Sequence, residues 1–163
     1  MGARKTGSLD AIDRRILIAL MDKGDLPLTE LSKKVGLSQT PCWQRVQKLQ
    51  AKGIIKKQVA IVDPSLVGLN LVVVVSIEAG EHTTNWLAKF NAYINKCPQV
   101  VEVLRMAGDI DYILKLIVQD MAVYDKFYQG LIENVPMKNV SSRFVMETIK
   151  NTTTLAIPEV NQD

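Results

Sequence analysis

The apolar residues of this chain are spaced one way before Asp63-Pro64 and another way after it. That change limits the fold more than any other feature. Ahead of the break, Leu9, Ile12, Ile16 and Leu20 stand at offsets 0, 3, 7 and 11, one stripe of helical period. Ser8 is placed to cap this helix, Asp10 falls in its first turn at the positive end of the dipole, and Lys23-Gly24-Asp25 ends it. A second helix starts near Thr29 and turns Leu31 and Val35 inward. Gly36 closes it, because glycine enters the left-handed conformation without a Cβ clash. After a connector of a few residues Ser38 is placed to cap a third helix. Pro41 lies in its first turn, where a missing N–H costs nothing, and Cys42, Val46 and Leu49 form its inner stripe before Gly53. Ile54–Val62 is β-branched and alternating, which predicts a strand or short wing.

Beyond the break the pattern alternates. Leu69–Ile77 reads as a nearly continuous apolar strand and Asn85–Lys96 as a helix with Leu87, Phe90 and Ile94 on one stripe. Val100–Met106 and Tyr112–Val118 read as strands joined by a turn at Gly108-Asp109. Met121–Glu133 is a helix with Tyr124, Phe127, Tyr128 and Leu131 inward, and Val140–Ile149 alternates as a last strand. The order βαββαβ predicts an α+β, ferredoxin-like unit with its helices on one sheet face. The reading therefore divides the 163 residues into a helical module at 1–62, a linker at 63–68, the ferredoxin-like unit at 69–158 and a loose tail at 159–163.

Charge follows the same division. Residues 1–60 hold 12 Lys/Arg against 5 Asp/Glu, a net of +7, and residues 61–163 hold 8 against 12, a net of −4. The formal +3 of the whole chain conceals a basic head suited to a polyanion. With 47% hydrophobic residues the chain can bury a core and is not disordered. Its longest apolar run, Leu69–Ile77, falls far short of the ~20 residues of a membrane helix, so no membrane partner is expected. His82 is the only histidine, and Cys42 and Cys97 stand 55 positions apart, so no zinc site and no cofactor is expected. A reducing cytoplasm is the natural setting.

Two short helices joined by a tight glycine turn inside a basic segment form the helix-turn-helix arrangement, whose second helix enters the major groove of double-stranded DNA. The third helix fits that role through Gln39, Thr40, Gln44, Gln47 and Lys48, with Arg45 near them and Ser38 at its start. Glutamine can pair bidentately with adenine, and arginine or lysine can reach guanine. Trp43 belongs to the same set as a half-buried anchor beside Val46. Lys33, Lys34, Lys52, Lys56 and Lys57 suit phosphates, which position a protein without reading sequence.

The runs Ile12-Asp13, Ile16-Leu17, Leu31 through Ser38, Thr40 through Val46 and Gly53-Ile54-Ile55 resemble the leucine-responsive regulator/AsnC family of prokaryotic transcription factors. Gly108-Asp109-Ile110-Asp111-Tyr112 is similar to that family's effector-domain turn, and Ser141 through Met146 with Ile149-Lys150 to its last strand. The resemblance covers about residues 9–158. It implies a winged helix-turn-helix followed by a ligand-sensing ferredoxin-like domain, in dimers that assemble further into tetramers, octamers or related forms. It also implies an amino-acid effector bound between dimers. Carried over residue by residue, Met106, Gly108, Asp109, Asp111 and Tyr112 would line the effector pocket, with Met121, Ser142 and Phe144 facing it from neighbouring strands or subunits. Physically, a glycine turn can offer free N–H groups to a carboxylate and an aspartate can accept from an ammonium. Trp43 after Thr40-Pro41-Cys42, Met106-Ala107-Gly108, and Ile149-Lys150-Asn151-Thr152-Thr153 further resemble a subgroup that includes cysteine-responsive regulators.

Other features weigh less. Cys42 on the inner stripe reads as a small buried hydrophobe, Cys97 before Pro98 as unreactive, and His82 as an exposed loop residue. Met1-Gly2 through Thr6 matches an acylation pattern, but Arg4 and Lys5 read more simply as a basic arm. An enzyme built on Glu102, Asp109 and Asp111 would need an orienting group, a nucleophile–base pair or a phosphate loop, and none accompanies them. A DNA-packing protein without an effector is the other alternative. It would keep the basic head and need no pocket.

Overall fold

The computed structural model describes residues 9–158, which fall into two compact units. One is Val62–Ile149; the other takes the described residues on both sides of it, 9–61 and 150–158. Ser8, the arm at Arg4 and Lys5, the acylation pattern and the tail at 159–163 lie outside the described residues.

The head carries three helices, α1 (Ala11–Asp22), α2 (Leu28–Val35) and α3 (Gln39–Ala51). Asp10, expected inside the first turn, is instead the N-cap of α1: its Oδ1 accepts from the Ile12 and Asp13 N–H groups at 2.9 and 2.8 Å. Gly36 has φ 74°, so α2 ends in a left-handed residue, and the Leu37 N–H closes the turn on the Ser32 carbonyl at 2.9 Å. Only residues 36–38 separate α2 from α3. Ser38 holds the N-cap position of α3 without a side-chain capping bond. Ile16, Leu17, Ala19, Leu31, Val35, Cys42 and Leu49 form the buried core, with Leu9, Ile12, Leu20 and Val46 packed around it.

Two features depart from the sequence reading. Of the strand or short wing expected over 54–62, no strand forms. A β-segment needs a neighbouring ladder, and this one finds none among the described residues: the Ile54 and Ile55 N–H groups turn back to the Leu49 carbonyl, leaving Val59, Ile61 and Val62 exposed. Residues 150–158, expected to close the second domain, belong with the head. Ile157 packs against the head's core, and the Leu155 N–H donates to the Met21 sulfur at 3.4 Å.

The second unit is a βαββαβ fold: β1 (Leu71–Ala79), α4 (Thr84–Ile94), β2 (Val100–Arg105), β3 (Tyr112–Val118), α5 (Met121–Asn134) and β4 (Met137–Phe144). Its antiparallel sheet has the order β2-β3-β1-β4. Alternation along β1 and β3 puts Val73, Val75, Ile77, Tyr112, Leu114, Leu116 and Val118 in one core with Trp86 and Phe90 of α4 and Tyr124, Phe127 and Leu131 of α5. The opposite sheet face carries Val72, Val74, Ile113 and Ile117, with Arg143 donating to Ser76 Oγ at 2.9 Å. The last strand starts and stops earlier than its pattern predicts. Phe144 pairs with Val73 near the start of β1, and beyond it Met146 and Ile149 stand exposed because β1 offers almost no further partner.

Gly130 lets α4 and α5 approach closely. A Cβ there would lie 2.5 Å from the Tyr93 hydroxyl oxygen, whose O–H donates to the Phe127 carbonyl at 2.9 Å. Gly130→Ala is therefore expected to lower the thermal midpoint despite alanine's better helix propensity, because overpacking costs about 1–3 kcal/mol. Tyr93→Phe combined with it should restore much of the loss, which differential scanning calorimetry of the two variants checks.

Candidate nucleic-acid interface and ligand site

On α3 the residues that turn away from the core are Gln39, Thr40, Trp43, Gln44, Gln47 and Lys48, all exposed. Counted from Thr40, the later four stand three, four, seven and eight positions on, so they form one polar surface broken by a single aromatic ring. Trp43 is 52% exposed, more open than the half-buried anchor its position suggested, because Val46 is itself only partly covered. Lys33, Lys34 and Ser38 are exposed at the end of α2 and in the turn. Lys34 Nζ lies 3.4 Å from Asp22 Oδ2, both side chains mostly in solvent, and such a pair exchanges readily for a phosphate.

Arg45 departs from its expected place. Its Nη1 donates to Asp10 Oδ2 at 2.5 Å and to Asp13 Oδ1 at 2.7 Å, so the guanidinium is spent inside the head and does not extend with the glutamines. The Asp13 N–H that Asp10 caps holds the Asp10 carboxyl below its ordinary range, and Arg45 adds to this; the Arg45 pKa is raised in turn, chiefly by Asp10. A groove of about 380 Å³ beside this cluster is lined by Asp10, Pro41, Gln44, Arg45 and Lys48. From sequence Asp10 had a role only at the helix dipole and Asp13 only in a family run, and neither was matched to Arg45. Their spacing of three at a helix start was the available signal, but nothing local names the cation they hold.

The second unit separates the expected effector residues into two groups. Met106, Gly108, Asp109, Asp111 and Tyr112 belong to the β2–β3 turn, where Gly108 has φ 124° and the Met106 N–H donates to the Asp111 carbonyl at 2.8 Å. The N–H groups of residues 107–110 have no protein acceptor among the described residues. Met121 opens α5, and Ser142 and Phe144 end β4 against Tyr124, whose hydroxyl donates to Ser142 and whose ring meets Phe144 edge-on at 5.3 Å. Tyr112 pairs with Ile77 and Phe144 with Val73. Along β1 the partner of Tyr112 therefore stands four residues from that of Phe144, ~13 Å of strand, and two from that of Ser142, Val75. One chain does not bring them together.

Two members of the turn also have structural duties. Asp111 Oδ2 accepts from the Ala79 N–H at 2.7 Å and its Oδ1 lies 3.6 Å from His82 Nε2, so the carboxylate braces the end of β1. Tyr112 is 6% exposed and stacks on Trp86 at 5.4 Å. Its edge reaches a cleft of about 190 Å³ shared with His82, Thr83, Thr84, Trp86, Leu87 and Arg105. Exposed His82 thus has a neighbour that its loop position did not reveal. Burial pushes the Cys42 and Cys97 thiols up, away from the reactive thiolate.

A helix-turn-helix head with an exposed polar third helix, joined to a βαββαβ unit with an open glycine turn, defines a DNA-binding regulator that carries a ligand-binding domain. The winged helix-turn-helix DNA-binding family matches residues 9–56 and the Lrp/AsnC ligand binding domain matches residues 72–155. The glutamate uptake regulatory protein of Zymomonas mobilis is 42% identical over 94% of this chain and 93% of its own length. The DNA-binding transcriptional activator DecR of Escherichia coli K12 is 41% identical over 91% and 99%. Among solved structures, the transcriptional regulator NMB0573 of Neisseria meningitidis in complex with L-Met superposes with a TM-score of 0.86 at 31% identity, covering 91% and 96% of the two chains. The chain belongs to the Lrp/AsnC family of transcriptional regulators, and it is not an enzyme. Among the described residues no helix is long and apolar enough to cross a membrane.

Proposed function

We propose that this chain is an amino-acid-responsive regulator that binds its operator as a dimer or higher assembly in the cytoplasm. The observation that carries the reading is the α2–α3 pair, closed by Gly36 and presenting an exposed row of Gln39, Thr40, Gln44 and Gln47 beside Lys33, Lys34 and Lys48. Glutamines read base edges while lysines hold phosphates. The Gly108 turn suits an α-carboxylate, because N–H groups with no acceptor among the described residues can donate to an anion. An amino acid also fits the relatives, one named for glutamate uptake and one seen with L-Met.

The separation of the expected ligand residues supports assembly. Another copy would supply the missing half to the turn group and to the Met121–Phe144 group, and Val72, Val74, Ile113 and Ile117, beside Lys115 and Arg143, leave a sheet face for such a copy. An effector then acts by its differential affinity for two assemblies or two poses of the heads.

The test is a thermal-shift screen of the dialysed protein against the twenty amino acids, cysteine, methionine and glutamate included, followed by footprinting with and without any hit. Stabilisation by one or a few of them, weakened in Met106→Ala and in Met121→Ala, is expected; both side chains are exposed and support no core. No response to any amino acid, with DNA binding intact, would leave a DNA-packing protein as the better description.

A further inference from the structure

We infer that Arg45 serves DNA recognition as a positioning residue, locking the rotation of α3 to the start of α1 through Asp10 and Asp13. The inference rests on α3 being the helix that enters the groove. Only Cys42 and Leu49 are buried along the 13 residues of α3, two side chains seven apart on one line. Val46, part-buried, packs to one side of that line and leaves the helix weakly restrained against rocking toward the other. Arg45 lies ~60° around the helix from Cys42, far enough off that line to act as a lever. Its guanidinium is fixed at 2.5 and 2.7 Å by two carboxylates 35 and 32 positions away in sequence.

The anchor at the other end is stiff. Asp10 uses Oδ1 to cap α1 and Oδ2 to hold Arg45, so one side chain joins the helix start to the clamp. Asp13 is 15% exposed and Arg45 31%, partly withdrawn from water, which makes the pair more effective than an open surface bridge. Two carboxylates against one guanidinium leave the cluster with a net negative charge, so Arg45 brings no free cation to a phosphate. Gln44 and Lys48, which share the groove with Arg45, are the side chains whose aim the clamp sets.

The test compares four proteins on a DNA site selected by the wild type from a random library and on random-sequence DNA, across a range of salt. They are the wild type, Arg45→Ala, the double variant Asp10→Ser with Asp13→Asn, and Lys48→Ala. Serine keeps the N-cap of α1 while removing the carboxylate that holds Arg45, and circular dichroism confirms that each head is folded. Arg45→Ala and the double variant should both lose tenfold or more of the preference for selected over random DNA. The loss should spread over every position that α3 reads, and the salt slope on random DNA should stay as in the wild type. Lys48→Ala, in contrast, should flatten that slope by about 0.9, one phosphate's worth.

Loss of discrimination at a single base pair in Arg45→Ala, with wild-type selectivity in the double variant, would make Arg45 a base reader and overturn the proposal. So would a flattened slope in Arg45→Ala, or wild-type preference in both variants. A wild type that selects no sequence would instead remove the groove-helix reading, and this inference with it.

Discussion

Replacing Lys33, Lys34 and Lys48 together with alanine is expected to weaken DNA binding on the order of several hundredfold per head at about 0.1 M salt, for every sequence alike. Each phosphate neutralised by a lysine releases condensed counterions, so log K falls against log salt with a slope of about −0.9 per contact. Three lost contacts flatten the slope by about 2.7, which is the number a fluorescence-anisotropy titration across salt would read. All three side chains are exposed, and alanine suits a helix at least as well as lysine, so the fold should not suffer. Lys34 gives up only an exposed contact to Asp22. A slope equal to the wild type's would mean that the basic edge of α2 and α3 does not face the phosphates.

Leu114→Ala should cost the second unit about 2–5 kcal/mol, a large part of what a domain of this size has to lose. Leu114 is fully buried on β3, an inner strand, between Val75 of β1 and Val103 of β2. The cavity left there is closed in on both sides by paired backbone, so collapse cannot recover the lost contacts. In urea the midpoint of the Val62–Ile149 unit should fall with its m-value unchanged, while the head, which has its own core around Ile16, Leu31 and Cys42, keeps its transition. A fall in both transitions together would show that the units unfold as one.

Much of this was readable from spacing. The α3 surface followed from one rule: if Cys42 and Leu49 face in, then Gln44, Gln47 and Lys48 face out. The glycine at 36 marked the turn because only a left-handed residue closes a helix there. The strands beyond the break were found because alternation and β-branching are local properties, and the turn between β2 and β3 was found because Gly108 interrupts them, its expected effector role coming only from the family resemblance. Where partners were needed the reading lost its grip. Ile54–Val62 looks like a strand residue by residue, but a strand is a pairing and no partner is supplied. The final strand was placed too late because its alternation runs past Phe144, while the register with β1 does not. Nothing in Gly108-Asp109-Ile110-Asp111-Tyr112 reveals that the Ala79 N–H lies 2.7 Å from the Asp111 carboxylate.

By itself, then, the sequence determined the division at Asp63-Pro64, the element types on either side, the basic head and the polar face of its third helix. Periodicity, capping and charge act over a few residues and need no knowledge of what lies across the fold. Only the tertiary structure decided which carboxylates hold Arg45 and that residues 150–158 return to the head. It alone also decided that the two groups of expected ligand residues stand apart along β1. Those outcomes depend on strand register and on contacts between residues 32 to 134 positions apart, such as Arg45 with Asp13 and Leu155 with Met21. Distances of that kind are set by how whole elements pack, and no local rule of spacing encodes them.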